Sequence, residues 1–159
     1  MRTLIASLAA AGFAFAAQAA PITPSQAEDV VEAAGATLSA SEGVGEDAHV
    51  IDAKFADMDL NFSVRLGNCD EMDQCGYAML FSTFELEQAA SSETLAKTNS
   101  YNDSYPFGRA FVIPGSEGAG DIVGIDYVID LSEEAALNPG DIERFKEILN
   151  SYFTHWGGE

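Results

Sequence analysis

Residues 60–84 read LNFSVRLGNCDEMDQCGYAMLFSTF and contain the clearest strand pattern in the chain. Apolar residues at positions 60, 62, 64 and 66 alternate with polar ones, which is typical of a strand with one buried face. Residues 77–84 are apolar on both faces, as expected of a central strand. The polar loop 67–76 between them predicts a hairpin and therefore an antiparallel sheet.

Both cysteines of the chain, Cys69 and Cys75, lie in this loop. In an exported protein an even number of cysteines most simply forms disulfides, so a Cys69–Cys75 bridge is predicted. Closing so short a loop stabilises a fold by roughly 2 kcal/mol on the chain-entropy model. The spacing is not Cys-x-x-Cys, and His49 and His155 lack zinc-ligand spacing, so we expect no redox centre, no metal and no other cofactor.

Helices and further strands flank the hairpin. Thr23 and Asn138 are typical N-caps, because each precedes a proline at the first helical position. The patterns predict helices near 24–34, 92–103 and 139–156, and strands near 36–41, 51–55, 60–66, 77–84, 107–113 and 122–131. The order α-β-β-β-β-α-β-β-α predicts a single α+β domain over residues 20–159, with an antiparallel sheet of about five to six strands and flanking helices.

The first segment, MRTLIASLAAAGFAFAAQA, residues 1–19, predicts a secretory signal peptide. Arg2 precedes an uncharged run, and Ala17 and Ala19 frame an Ala-x-Ala cleavage site. The run is too short and too rich in small residues for a stable membrane span. We therefore expect cleavage near Ala19 or Ala20 and a periplasmic or secreted protein without a membrane span.

The chain is strongly acidic, with 26 Asp and Glu against 7 Lys and Arg and a formal net charge of −19. Such a charge repels nucleic acid and anionic membrane surfaces, so neither is an expected partner. Three explanations of this charge are open: it keeps the protein soluble, it attracts a basic protein partner, or it binds a divalent cation weakly. Asp70, Glu71 and Asp73 crowd the cysteine loop, where they either hold a cation or form a solvated hairpin tip.

Motifs for calcium, phosphate or nucleophilic chemistry are incomplete. Residues 57–61 begin like an EF-hand loop, but Phe62 and Asn68 stand where the glycine and glutamate belong. Residues 115–120 are rich in glycine without the lysine and helix of a phosphate loop, so a hairpin turn is favoured. There is no Gly-x-Ser-x-Gly motif, and His49 and His155 are expected at the surface.

One charge lies in an apolar setting. Arg109 shares a predicted strand face with Phe107, Phe111 and Ile113, where a cation needs a partner. Asp126 lies on the neighbouring strand of the same hairpin, at a plausible cross-strand position. We therefore expect an Arg109–Asp126 ion pair that fixes the strand register and takes no part in catalysis.

Several short motifs carry a family resemblance, namely the cysteine pair, Asn99-Ser-Tyr101-Asn102, Phe107-Gly-Arg109-Ala110-Phe111 and Asp126. In this order they resemble exported members of the YbjN-domain family, also described as bacterial sensory-transduction regulators, over roughly residues 27–156. The resemblance implies a fold similar to that of type III secretion chaperones and no known catalytic residues. It makes Asn99, Tyr101, Asn102 and Phe107 candidates for an interaction surface. Pro106 stands where the family tends to have arginine, so no role is carried over for that charge.

Three hypotheses for function follow. The leading one is a non-enzymatic periplasmic interaction domain, chaperone-like or regulatory, that binds an extended or helical protein segment on its sheet or in a groove beside it. The second is binding of a small ligand or a divalent cation by the acidic loop. The third is an enzyme, which requires a pocket in which Asp126, His49 or His155 converge. The partner's identity and the oligomeric state do not follow from the sequence.

Overall fold

The computed structural model describes residues 21–116, 119–131 and 136–157. The predicted signal peptide, residues 1–19, and residues 117 and 118 of the predicted glycine turn lie outside these ranges. Within them the chain forms three helices and six strands, which are α1 (Pro24–Ala33), β1 (Ala36–Gly43), β2 (Ala48–Phe55), β3 (Leu60–Cys69), β4 (Cys75–Glu85), α2 (Ser92–Ser104), β5 (Arg109–Ile113), β6 (Ile122–Asp130) and α3 (Pro139–Gly157).

The described strands form one antiparallel sheet in the order β1-β2-β3-β4-β6-β5. The strand order departs from chain order at β4 and β6, which pair along the whole of β6 although α2 and β5 lie between them in sequence. β3 and β4 therefore lie near the centre of the sheet, and β1 and β5 form its edges. The predicted α+β class, the antiparallel sheet and the order of elements are confirmed.

Strand boundaries differ from the predicted ones where local backbone geometry decides them. β5 begins at Arg109 and not at residue 107, because Gly108 has a φ of 78° and interrupts the strand. β1 extends to Gly43 and β2 begins at Ala48, so both strands are longer than their alternating patterns indicated. Phe107 consequently lies before the strand whose face it was expected to share.

The helix starts follow the predicted capping chemistry. The Thr23 hydroxyl accepts a hydrogen bond from the Gln26 N–H at 3.3 Å. The Asn138 side-chain oxygen accepts one from the Gly140 N–H at 2.9 Å. Each bond satisfies a backbone donor that the first helical turn leaves without an intrahelical partner. Within the described ranges, no helix is long and apolar enough to cross a bilayer.

A single hydrophobic core lies between the helices and one face of the sheet. α3 contributes buried residues on one stripe, among them Phe145 and Tyr152. The strands contribute every second residue, and Phe62 of β3 stacks on Phe55 of β2 with ring centroids 4.2 Å apart. Phe62 also meets Phe145 at a centroid distance of 6.1 Å. These contacts join the sheet to the apolar stripe of α3, residues that recur at helical spacing along one side of the helix.

The Phe145 contacts predict a large loss of stability on truncation. Phe145→Ala is expected to lower the free energy of unfolding by about 3 to 5 kcal/mol, because it leaves a cavity in the core. Phe107, whose side chain is half exposed, is the matched control, and Phe107→Ala is expected to cost less than about 1 kcal/mol. Urea denaturation of the oxidised protein at pH 7 measures both; equal losses would contradict the assigned core.

Candidate functional site

The candidate site is the open face of the sheet, defined as the face opposite the three described helices. Alternation along the strands places different residues on the two faces, so β4 directs Ala78 and Leu80 into the core and Met79 and Phe81 to the open face. No element among the described residues covers this face. Its centre is a groove of about 540 Å³ whose apolar lining consists of Val50, Met79, Phe81, Phe111 and Ile113.

Glycine on β6 shapes the end of the groove. Gly124 lies opposite Phe111 of β5, and a Cβ atom at this position would collide with the Phe111 ring. The Phe111 ring therefore occupies the space that a side chain at position 124 would need. Ile113 and Val128, which are 47% and 52% exposed, continue the apolar surface on either side. An exposed apolar surface of this kind is typical of a binding site.

Arg109 and Asp126 meet inside this groove. They are direct cross-strand partners on β5 and β6, and Arg109 Nη2 lies 2.5 Å from Asp126 Oδ2. Asp126 is only 4% exposed, whereas the Arg109 side chain is 71% exposed. The hydrogen bond to Asp126, followed by the charge of that carboxylate, raises the pKa of Arg109. The guanidinium therefore stays protonated, with donors left over on its exposed side.

Arg65 is the second cation of the groove. It lies on β3, between Val50 of β2 and Met79 of β4 in the strand register. Across the part of the chain that the structure describes, the Arg65 side chain has no hydrogen bond and no ion pair. The groove thus combines an apolar floor with two guanidinium groups and one buried carboxylate.

The Asn-x-aromatic-Asn segment lies on the other side of the sheet and joins α2 to its neighbours. Tyr101 is fully buried and bonds through its hydroxyl to Ser151 Oγ of α3 at 2.8 Å. Burial raises the pKa of this hydroxyl. Asn102 donates to the Ala110 carbonyl at 3.0 Å and accepts from the Ala110 N–H at 2.8 Å. It thereby occupies the N–H and C=O groups of Ala110, two of the edge-strand backbone groups that a further strand would need.

The remaining candidates from this region are exposed. Asn99 lies on the solvent side of α2. Phe107 is 52% exposed and lies under the Arg144 guanidinium, 5.2 Å from the ring centroid. Phe107 also lines two small surface pockets, of about 230 and 350 Å³, at the end of the sheet. Of the four residues, Asn99 and Phe107 therefore offer surface to a partner, while Tyr101 does not.

The cysteine loop is closed by the expected bridge. Cys69 and Cys75 are cross-strand partners at the ends of β3 and β4, joined by a disulfide. Within the loop, the Asp70 carboxylate accepts from the Met72 and Gln74 N–H groups at 2.8 and 2.9 Å. This carboxylate therefore organises the turn. Across the described residues, no group of three or more His, Cys, Asp or Glu side chains is placed to hold a metal ion.

The two histidines lie apart, and both are partly buried. His49 Nε2 lies 2.7 Å from Ser41 Oγ, and Ser41 also bonds to the Glu28 carboxylate. A carboxylate accepts, so the Ser41 proton goes to Glu28 and His49 donates to the hydroxyl oxygen, which is the reverse of nucleophile activation. Both histidines were expected at the surface, but each is only partly exposed. His155 bonds to the Lys97 carbonyl at 2.9 Å, because α2 packs over it.

Fold and site together define a class: a two-layer α+β domain with helices on one face and an apolar, arginine-bearing groove on the other. The family model YbjN, described as "Putative bacterial sensory transduction regulator", matches residues 28–153, and the chain belongs to this family. Comparisons with curated proteins and with solved structures found no match. The likeness to type III secretion chaperones therefore stays a prediction.

The Asn102 contacts predict that this side chain stabilises the edge of the sheet. Asn102→Ala is expected to lower the free energy of unfolding by about 1 to 3 kcal/mol, because it removes both partners of the Ala110 backbone. Hydrogen exchange at the Ala110 amide should also become faster. Asn99→Ala, on the exposed side of the same helix, is the control and is expected to change stability by less than about 0.5 kcal/mol. Unchanged exchange at Ala110 would contradict the assignment.

The Arg109–Asp126 pair predicts measurable coupling in a double-mutant cycle. Arg109→Met and Asp126→Asn, alone and together, are expected to give a coupling energy of about 1 kcal/mol, kept modest by the exposure of Arg109. The exposed pair Lys54–Asp59, at 2.5 Å, is the control and is expected to couple more weakly. A value near zero for Arg109–Asp126 would show that the pair contributes nothing to the strand register.

Proposed function

We propose that this chain is a non-catalytic regulatory domain that binds a segment of another protein on the open face of its sheet. The observation that carries the proposal is the groove itself: apolar residues from β2, β4 and β5 line a surface that the described part of the domain leaves uncovered. Burial of such a surface is the main favourable term in protein association. Membership in a family of regulators supports the same conclusion.

The charge of the chain supports a protein partner over a polyanion. With a formal net charge of −19, the domain repels nucleic acid and anionic lipid at long range. The groove differs from this average, because Arg65 and Arg109 outnumber the single lining carboxylate of Asp126. A peptide segment that combines apolar and polar side chains matches such a lining.

Function outside the cytoplasm is part of the proposal. The Cys69–Cys75 disulfide supports it, since disulfides persist in oxidising compartments and are rare in the cytosol. The signal peptide predicted over residues 1–19 points to the same compartment, the periplasm. A regulatory domain there would sense or hold an exported partner.

Site-directed photo-cross-linking tests where the partner binds. A photoreactive phenylalanine at position 128, on the open face, is expected to give one recurrent protein adduct in cells that make the protein. The same group at position 95, on α2, is the matched control, because Val128 and Leu95 are similarly exposed at 52% and 48%. No adduct at position 128, or the same adducts from both positions, would refute binding on the open face.

A further inference from the structure

We propose that the segment bound on the open face is an amphipathic helix with two acidic residues about three turns apart, which pair with Arg65 and Arg109. This inference rests on the proposed function and specifies its partner. It follows from the backbone chemistry of a sheet face, from the spacing of the two arginines and from the net charge of the chain.

The hydrogen-bonding needs of the partner's backbone favour a helix over an extended chain on this face. Sheet faces present side chains and no backbone groups, so an extended segment on the groove would bury its N–H and C=O groups against Met79, Phe81 and Phe111 without partners. An α-helix satisfies these groups internally. An extended segment would instead pair with a strand edge, and at β5 Asn102 already occupies the backbone of Ala110. The groove therefore favours a helix.

The two arginines define the charge pattern of that helix. Arg65 and Arg109 lie on β3 and β5, three strand spacings apart across β4 and β6, and their rows in the register differ by two residues. Strand spacings of about 4.8 Å and a rise of about 3.4 Å per residue place their Cα atoms about 16 Å apart. A helix covers this distance in roughly 11 residues, or three turns, which returns to the same face.

The side chains of the groove are placed to meet such a helix. Arg65 has no partner in the part of the chain described by the structure, and Arg109 engages Asp126 through one nitrogen while most of its side chain is exposed. Both have donors available for a carboxylate. Met79 and Phe81 of β4 lie between the two arginines and would contact the apolar residues between the two acids.

A second copy of the chain is the competing occupant, and charge disfavours it. Two copies of the chain, each with a formal net charge of −19, repel each other. A short helix with two acidic residues adds little repulsion, because the two arginines neutralise its carboxylates. A separate partner with few charges is therefore favoured over self-association through this face.

The test uses the oxidised protein and three synthetic peptides of roughly 15 residues. One is a side-chain-bridged helix with two glutamates three turns apart and leucines between them on the same face. The second has the same composition with one glutamate moved to the opposite face. The third contains a central proline that prevents the helix. Fluorescence anisotropy measures the three dissociation constants, and sedimentation equilibrium measures the state of the protein alone.

The first peptide is expected to bind at least about tenfold more tightly than the other two. Arg65→Glu should weaken this binding by about tenfold or more, while Arg144→Glu, the same charge change on α3 away from the open face, should leave it within about twofold. Arg65 is preferred to Arg109 because its substitution breaks no contact described in the structure.

Other outcomes overturn the inference in distinguishable ways. If the proline peptide binds as tightly as the first peptide, the bound segment is not required to be a helix. If the peptide with the displaced glutamate binds as tightly, the proposed spacing of the two acids is wrong. A dimer that Arg65→Glu dissociates would assign the face to a second copy. If no peptide binds while the position-128 adduct forms, the helix inference fails and the proposed function stands; if both are absent, both fail.

Discussion

The packing of α3 across one face of the sheet is the constraint on which the rest of the structure depends. Its buried stripe, with Phe145 and Tyr152, meets alternate residues of the strands and forms the core together with α1 and α2. Because the described helices all pack on this one core, no described helix covers the other half of each strand's side chains, on the opposite face. A groove follows from this one-sided architecture wherever those residues are apolar, as they are on β4 and β5.

Both edges of the sheet carry features that make pairing with a further strand unfavourable. At β5, the Asn102 side chain bonds to both the N–H and the C=O of Ala110, as a neighbouring strand would. At β1, the pairing with β2 shifts register between Leu38 and Ala40, and such a bulge makes an edge a poor template for another strand. With both edges modified, the face remains the surface best suited to a partner.

The sequence predicts the parts of this structure that depend on neighbours along the chain. Strand alternation, the two N-caps and the apolar stripe of α3 are local signals, and they yield the order of elements. The Arg109–Asp126 contact was expected because β5 and β6 form a hairpin, where cross-strand positions follow from the turn. The groove could not be predicted in the same way, since it requires β6 to pair with β4 across α2 and β5. The hydrogen bonds of Asn102 to Ala110 were not predicted, because the position of an asparagine on a helix does not show which backbone groups its side chain contacts.

The acidity of the chain and the lining of the groove act over different distances. Salt screens charges beyond about 8 Å at physiological ionic strength, so a small partner is influenced mainly by the groups nearest to it. In the groove these are Arg65, Arg109 and the buried Asp126, whereas a second copy or a nucleic acid spans enough surface to meet the remaining carboxylates. Repulsion of a nucleic acid or of a second copy is thus compatible with the proposed binding of a short segment that has acidic and apolar residues. Solubility and the proposed recognition are therefore compatible uses of the charge, because two arginines and one carboxylate line the apolar groove of an otherwise acidic domain.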